Sequence, residues 1–313
     1  MQARISALIV SALLVCASFA AAQERFGSLA GRVTDQQDAA IPGATVVITS
    51  NDTGAVRTFV SNGEGRYSAP DLAPGRYTVR FELTGFTTAE RTDISVALGR
   101  AFELDAQLKV GGVTEAISVT AQAAPLVDAR STLIAHNVAA EEFDRLPKAR
   151  SFQSIALTAP SVNSGEVEGG FQVNGASGAE NVYTVDGIST TSVIYGSSRQ
   201  NTVFEYLQEV QIKTSGISAE YGGALGGVIS AVTKSGGNVF HGEAHYYFEG
   251  SSIGSGPVKR LVIDPVDDKT VTYVHDKKSP IRQQEFGGSL GGPIIKNHLF
   301  FWFFTDLSTA PGG

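Results

Sequence analysis

Residues 171–189 read FQVNGASGAENVYTVDGIS, and residues 205–237 read EYLQEVQIKTSGISAEYGGALGGVISAVTKSGG. Within them, Val182-Tyr183-Thr184-Val185 and Val210-Gln211-Ile212-Lys213 are short alternating runs, which predict strands. Glycine separates these runs at Gly175, Gly178, Gly187, Gly216, Gly222, Gly223, Gly226, Gly227, Gly236 and Gly237. Such a supply permits tight turns and close backbone approach, but it does not furnish a thick apolar core. The stretch predicts a small, tightly turned sheet, of the kind that could wedge inside another structure.

Several blocks around this stretch fall in one order. They are Leu146-Pro147, Arg150-Ser151-Phe152, Phe171-Gln172-Val173-Asn174-Gly175, Thr184-Val185-Asp186-Gly187, Ser218-Ala219-Glu220-Tyr221-Gly222, Gly226-Gly227-Val228-Ile229 and Thr233-Lys234-Ser235-Gly236. Together they resemble the plug domain of TonB-dependent outer-membrane receptors. The resemblance is to the Oar-like branch, which has a carboxypeptidase-regulatory-like amino-terminal domain. It implies an α+β plug over residues 113–237, with Val113 as its first residue.

Residues 26–109 predict an all-β sandwich. Strand candidates cover residues 29–33, 45–49, 57–60, 66–69, 77–83 and 102–108. Turn signals separate them at Ile41-Pro42-Gly43, Asn51-Asp52, Asn62-Gly63-Glu64-Gly65, Ala73-Pro74-Gly75 and Leu98-Gly99. In the clearest run, Tyr77, Val79 and Phe81 face one way and Thr78, Arg80 and Glu82 the other, the alternation of a half-buried antiparallel strand. About 85 residues suffice for a modest core. Gly31-Arg32-Val33-Thr34-Asp35, Ile41-Pro42-Gly43-Ala44, Gly65-Arg66-Tyr67 and Leu72-Ala73-Pro74-Gly75-Arg76-Tyr77 resemble the carboxypeptidase-regulatory-like, transthyretin-like fold. That fold is also grouped with starch-binding modules, so Tyr67, Tyr77 and Phe86 are either sugar-stacking aromatics or core.

Val110-Gly111-Gly112 is a short linker. Glu115-Ala116-Ile117-Ser118-Val119-Thr120-Ala121 follows, extended and alternating, with no evident hairpin partner. Its place before a plug-like sequence resembles a TonB box, the strand that pairs with the energy transducer TonB by β-strand addition. The other reading is an ordinary first strand of the plug. Beyond it, residues 132–138 predict a strand, residues 139–145 and 152–157 short helices, and residues 161–170 an acidic, glycine-rich loop.

The last third carries membrane-strand patterning. In residues 240–248, Phe240, Gly242, Ala244, Tyr246 and Phe248 share one face, and His241, Glu243, His245 and Tyr247 the other. An apolar face with aromatics at both ends, opposite a polar face, marks an outer-membrane β-strand. A polar stretch, residues 251–279, holds Asp264, Asp267, Asp268, Lys277 and Lys278. It precedes a second strand over 283–290, with Phe286 and Leu290 opposite Gln283, Glu285 and Ser289. Ile295-Lys296-Asn297-His298 predicts a tight turn before an aromatic strand over 299–307. A plugged barrel needs about 22 strands, and open edges are not tolerated in lipid. Residues 238–313, which end in Pro311-Gly312-Gly313, therefore read as about three strands of a truncated barrel, and the chain as the amino-terminal part of a longer receptor.

Composition bounds the remainder. The chain has 313 residues, a net charge of -7 and 35 glycines. The negative charge and lack of a basic, aromatic-interleaved patch argue against nucleic-acid binding. Residues 1–22 read as a signal peptide: Arg4, an apolar run over 5–19, then Ala20-Ala21-Ala22 as cleavage site. The single cysteine, Cys16, lies in that leader, and a lipoprotein reading of Leu13-Leu14-Val15-Cys16 suffers from the bulk of Val15. The mature chain would have no disulfide or thiol chemistry.

No GxxxxGK[ST], HExxH or CxxC motif occurs, and there is no GxSxG elbow, which needs a strand-to-helix turn. Asn62-Gly63-Glu64-Gly65 lacks the strand-to-helix context of a dinucleotide site. Of the histidines, His136, His275 and His298 stand apart, whereas His241, Glu243 and His245 share a strand face. They could bridge a metal, but a fourth ligand is missing, and polar lumen-facing positions are the favoured reading. The expected protein is a non-enzymatic receptor without cofactor, in the outer membrane with periplasmic amino-terminal domains. Its implied partners are TonB, outer-membrane lipid and an unknown large solute or glycan. The competing reading is a secreted or periplasmic carbohydrate-binding sandwich without transport activity.

Overall fold

The computed structural model describes residues 26–111, 117–120, 133–143, 145, 151–165, 170–192, 197–198, 203–250, 257–263, 269–275, 277 and 282–309. Residues 1–22, the expected signal peptide, with Leu146, Pro147, Arg150, Val113, Glu115, Ala116, Ala121, Asp264, Asp267, Asp268, Lys278 and residues 311–313, lie outside them. Among the described residues no helix is long and apolar enough to cross a membrane.

The first unit is a two-sheet sandwich. Its strands are β1 (Gly27–Thr34), β2 (Thr45–Ser50), β3 (Val56–Val60), β4 (Arg66–Leu72), β5 (Gly75–Glu82), β6 (Ala89–Val96), β7 (Ala101–Glu103) and β8 (Ala106–Gln107). One sheet runs β4-β1-β7, with β8 also on β1. The other runs β3-β2-β5-β6 and ends on β9 (Ile117–Thr120). Inward residues of both sheets form one core, including Leu29, Val46, Ile48, Val79, Phe81 and Ile94. Tyr67 and Tyr77 belong to that core, and Phe86 packs against it. Tyr67 meets Phe81 edge to face at 5.6 Å and donates its hydroxyl to the Leu104 carbonyl at 2.6 Å. Burial pushes its phenol up, out of any physiological titration.

Sequence reading missed β6. Its buried positions are Ala89, Ile94 and Val96. The step from 89 to 94 is odd, so the period-two pattern breaks inside the strand. A register shift lies opposite, between Tyr77 and Val79, and Asp93 has a φ of 63°. A bulge inverts the faces of everything beyond it, which hides a strand from a test of alternation.

The second unit is the α+β plug. Its elements are β10 (Ile134–Ala139), α1 (Ala140–Phe143), a 3-10 helix (Phe152–Thr158), β11 (Val162–Ser164), β12 (Phe171–Val173), β13 (Val182–Val185), β14 (Ile188–Ser189), β15 (Leu207–Ser215) and β16 (Val228–Thr233). The main sheet has the order β10-β15-β16-β13-β14, with β13 and β16 parallel. Residues 162–164, within a stretch expected to be a loop, instead pair as β11 with β12.

The glycine-rich blocks hold one another. Asn181 donates to the carbonyls of Phe171 and Gly178, and its side-chain oxygen accepts from Gly227 N at 2.8 Å. A side chain at Gly227 would strike Val173, so only glycine lets the start of β16 lie so near β12. Asp186 and Gly187 turn between β13 and β14 at φ values of 49° and 74°. The Asp186 carboxylate reaches across the sheet to accept from Thr233 N at 3.0 Å and Thr233 Oγ1 at 2.8 Å.

The third unit is an antiparallel sheet of β17 (His241–Gly250), β20 (Arg282–Ile295) and β21 (Leu299–Ser308), in the order β17-β20-β21. The polar stretch before β20 contains a hairpin the sequence reading left as loop: β18 (Arg260–Ile263) on β19 (Val271–Val274). Registers align Tyr246, Phe286 and Leu307 in one row and Gly242, Leu290 and Phe303 in another. Tyr246 and Phe303 are each 61% exposed, so this face is largely apolar and uncovered. Opposite it, Glu285 and Ser289 are buried.

Replacing Asp186 by Ala should destabilise the plug by about 1–3 kcal/mol, because Thr233 loses two partners and its amide is left in the sheet unsatisfied. Chemical denaturation, with amide exchange at Thr233, checks this. Unchanged protection of Thr233 would show that the carboxylate does not hold β16.

Candidate functional site

The inner face of the third unit meets the plug. Tyr206 stacks on Phe304 at 5.2 Å between centroids, and Lys234 pairs with Glu243 at 3.3 Å. Around them the three polar residues predicted to share a strand face go to separate partners. His241 stacks on Trp302 at 5.3 Å, Glu243 takes Lys234, and His245 Nε2 lies 3.4 Å from Asp306. Gly287 and Gly291 make this possible. Each stands between two of those residues in the register, and a side chain at either would collide with His245 or with His241 and Trp302.

Among the described residues one group of potential metal donors does converge, and it is not the trio that shares a face of β17. Glu205 of the plug, His245 of β17 and Glu285 of β20 bring their donor atoms within 4.8 Å of one another. Glu205 comes from a 3-10 turn, Phe204–Tyr206, that leads into β15. The sequence hid this because the three residues lie far apart and belong to two units. Three donors are one short of a closed structural site, and both glutamates have further interaction partners. The arrangement brings polar groups of plug and sheet together.

A second contact joins the sandwich to the plug. The loop after β6 presents Leu98, whose N–H donates to Glu209 at 3.0 Å. The Leu98 carbonyl accepts from Asn137 at 3.1 Å and from the Gln211 side chain. Asn137 also donates to Glu209, and Arg100 donates to the Asn137 side chain at 3.0 Å and to the Ala135 carbonyl at 2.6 Å. Both β10 and β15 thus grip one loop. Glu209 is only 5% exposed. Burial pushes its carboxyl up from the ordinary value, and the hydrogen bonds from Asn137 and Leu98 and the charge of Arg100 partly oppose this. A third tie runs through Asn238, which donates to the Asp52 carbonyl at 2.8 Å and bonds Asn297 in the turn before β21.

The structure pairs the predicted coupling strand, which the sequence left without a partner. Ile117, Ser118, Val119 and Thr120 form β9 and lie parallel to β6, with Ala89, Glu90, Arg91 and Thr92 opposite them in turn. Their pairing is with the sandwich and not with the plug sheet, whose edge strand is β10. Among the described residues Glu115, Ala116 and Ala121 do not appear.

A sheet apolar outside and polar inside, closed on a small mixed domain, defines an outer-membrane receptor with a plug. Family models agree along the chain: a carboxypeptidase regulatory-like domain over residues 28–109, a TonB-dependent receptor plug domain over 128–228 and an outer membrane beta barrel domain over 232–307. A curated relative, the TonB-dependent transporter Oar of Myxococcus xanthus, is 33% identical over 318 residues, covering 98% of this chain and 29% of the relative. The plug and barrel matches are to domains of TonB-dependent receptors, which indicates the outer membrane. It spans 29% of that relative's length.

Among solved structures, the siderophore receptor PirA of Acinetobacter baumannii is 21% identical over 56% of this chain and 24% of its own, with a TM-score of 0.41. The 5-hydroxyisourate hydrolase of Klebsiella pneumoniae is 28% identical over 27% of this chain and 92% of its own, with a TM-score of 0.23. Both scores are too low to carry an inference.

The sandwich–plug contact should respond to pH through Glu209. Its folded value is raised, so its stabilising contribution is full below the unfolded carboxylate range, about 4.3, and is lost as pH rises through the folded value. Glu209→Gln, which cannot ionise, should remove this dependence, whereas Glu209→Ala should loosen the contact at every pH by about 1–3 kcal/mol. Exchange of the Leu98 amide between pH 5 and 8, corrected for its intrinsic rate, reads both. The same pH slope in Glu209→Gln as in the parent would exclude Glu209 as the source.

Proposed function

We propose that this chain is the amino-terminal part of a receptor that takes up a large solute across the outer membrane, driven by TonB. In this reading residues 1–22 are a signal peptide, 26–109 the periplasmic sandwich, 113–237 the TonB box and plug, and 238–313 the first strands of the barrel. The plug occludes the lumen. TonB binds the segment 115–121 by strand addition, in which backbone hydrogen bonds give affinity and alternate side chains give register.

The observation that supports this most is the fit of plug to sheet. Tyr206 on Phe304, Lys234 on Glu243 and Glu205 beside His245 and Glu285 set one polar surface against another. A sheet with that inner face and an outer face of Tyr246, Phe286, Leu290, Phe303 and Leu307 has its polar side toward the plug and its apolar side free for lipid. A soluble sugar-binding sandwich has no use for either surface. The aromatics that would have served it, Tyr67 and Tyr77, are buried in the core.

The test is capture of the chain by a purified TonB carboxy-terminal domain, with and without residues 115–121. The intact chain should be retained, and the deletion should lower retention at least about tenfold. Leu98 amide protection, unchanged in the deletion, shows that sandwich and plug remain joined. Equal retention of both chains would remove the coupling role from this segment.

A further inference from the structure

We propose that the outer edge of β6 is the resting seat of the coupling strand, and that TonB binds residues 117–120 only after they leave it. This rests on the coupling role proposed above for that segment. The amino-terminal sandwich would then be the holder of the strand that opens the plug.

Four observations converge. The first is the pairing: residues 117–120 occupy four successive register positions of a parallel ladder on residues 89–92. The second is the edge itself. Without β9, the five-stranded sheet would end on β6, with a row of unpaired N–H and C=O groups. Such a row is a template for any extended segment. The third is tethering. β8 ends at Gln107 and β9 begins at Ile117, so the strand cannot stray far from the sandwich and meets β6 at high effective concentration.

The fourth is the placing of the seat. β6 ends at Val96, two residues before Leu98, whose backbone is gripped by Glu209, Asn137 and Gln211 of the plug. The edge that holds the strand is thus fixed to the body that the strand must move.

That last point decides between displacement and simple addition. A partner strand could in principle add to the free side of β9 and leave β6 in place. Tension on residues 117–120 would then run into the sandwich and be shared by the Leu98 and Arg100 contacts. If the strand first leaves β6, tension runs along the chain into the plug. Displacement also follows from strength. A short parallel ladder is among the weaker sheet pairings, and its net hydrogen-bond contribution is modest. A partner offering a longer edge can replace it. While the strand is seated, apparent affinity falls by the fraction of time it is free, so nine-tenths occupancy would weaken binding about tenfold.

Cysteine pairs test this directly. In a Cys16→Ala background the chain has no other cysteine. Glu90→Cys with Ser118→Cys, or Thr92→Cys with Thr120→Cys, joins register partners within disulfide reach. The full 313-residue chain carries each pair. On mild oxidation at least one pair should cross-link in most molecules. The oxidised chain should then bind the TonB carboxy-terminal domain at least about tenfold more weakly than the same chain reduced.

Failure of both pairs to cross-link overturns the seat. So does a cross-linked chain that binds as tightly as the reduced one, since TonB would then add to the free side of β9. If the uncross-linked parent does not bind the probe at all, the coupling role of residues 115–121 falls instead. Cross-link yield alone then decides whether the strand rests on β6.

Discussion

An antiparallel sheet that turns an apolar face to lipid must give its polar face a partner, and the polar partner here is folded from the same chain. His241, Glu243, His245, Glu285 and Asp306 cannot lie against hydrocarbon without heavy cost. They lie instead against Lys234, Tyr206 and Glu205 of the plug and against Trp302 and Phe304 of their own sheet. Glycine sets the spacing. Gly287 and Gly291 leave the inner surface shallow enough for rings and carboxylates from neighbouring strands to meet across them. The composition that looked too poor in apolar residues for a free domain suits one that is surrounded.

The same economy governs the plug interior. Its blocks are separate in sequence because each supplies one end of a contact. Asn181 links β12, the 3-10 turn at Gly178–Glu180 and Gly227, while Asp186 links the β13–β14 turn to the end of β16. Lys213, nearly fully buried, donates to the Tyr221 hydroxyl at 3.0 Å, which draws the Ser218-to-Gly222 block onto β15. A small sheet with a thin core is held to one arrangement by these directional bonds. Each buried donor left unmatched would cost more than the bond itself contributes.

What could be read from residues alone was what repeats at short range. Alternation exposed β5, β13, β15 and β17, and the predicted faces of β20 match the exposed and buried sides found. The turn at Asp186-Gly187 follows the same short-range chemistry, because Asp and Gly tolerate positive φ. β6 was not legible, because its bulge inverts the pattern midway. The hairpin of β18 and β19 was not read, because its two runs are only four residues each and are set in a stretch that is otherwise polar. The Leu98 contact and the Glu205, His245 and Glu285 group were not legible at all. Their members are more than a hundred residues apart or belong to different units, and no local pattern encodes such a meeting.

The strand order of the sandwich gives the amino-terminal unit a mechanical meaning beyond its own core. Sheets end in edges, and an edge strand serves as a place to store an extended segment. β6 is followed at once by the loop that the plug grips through Glu209, Asn137 and Gln211. Storage and anchorage therefore fall on one short piece of chain. A segment parked there is held by backbone bonds that any strand could replace, next to a contact held by side chains that only this plug provides. The first kind of bond yields to a competitor and the second does not. That difference lets a strand be taken from the sandwich while the sandwich stays on the plug.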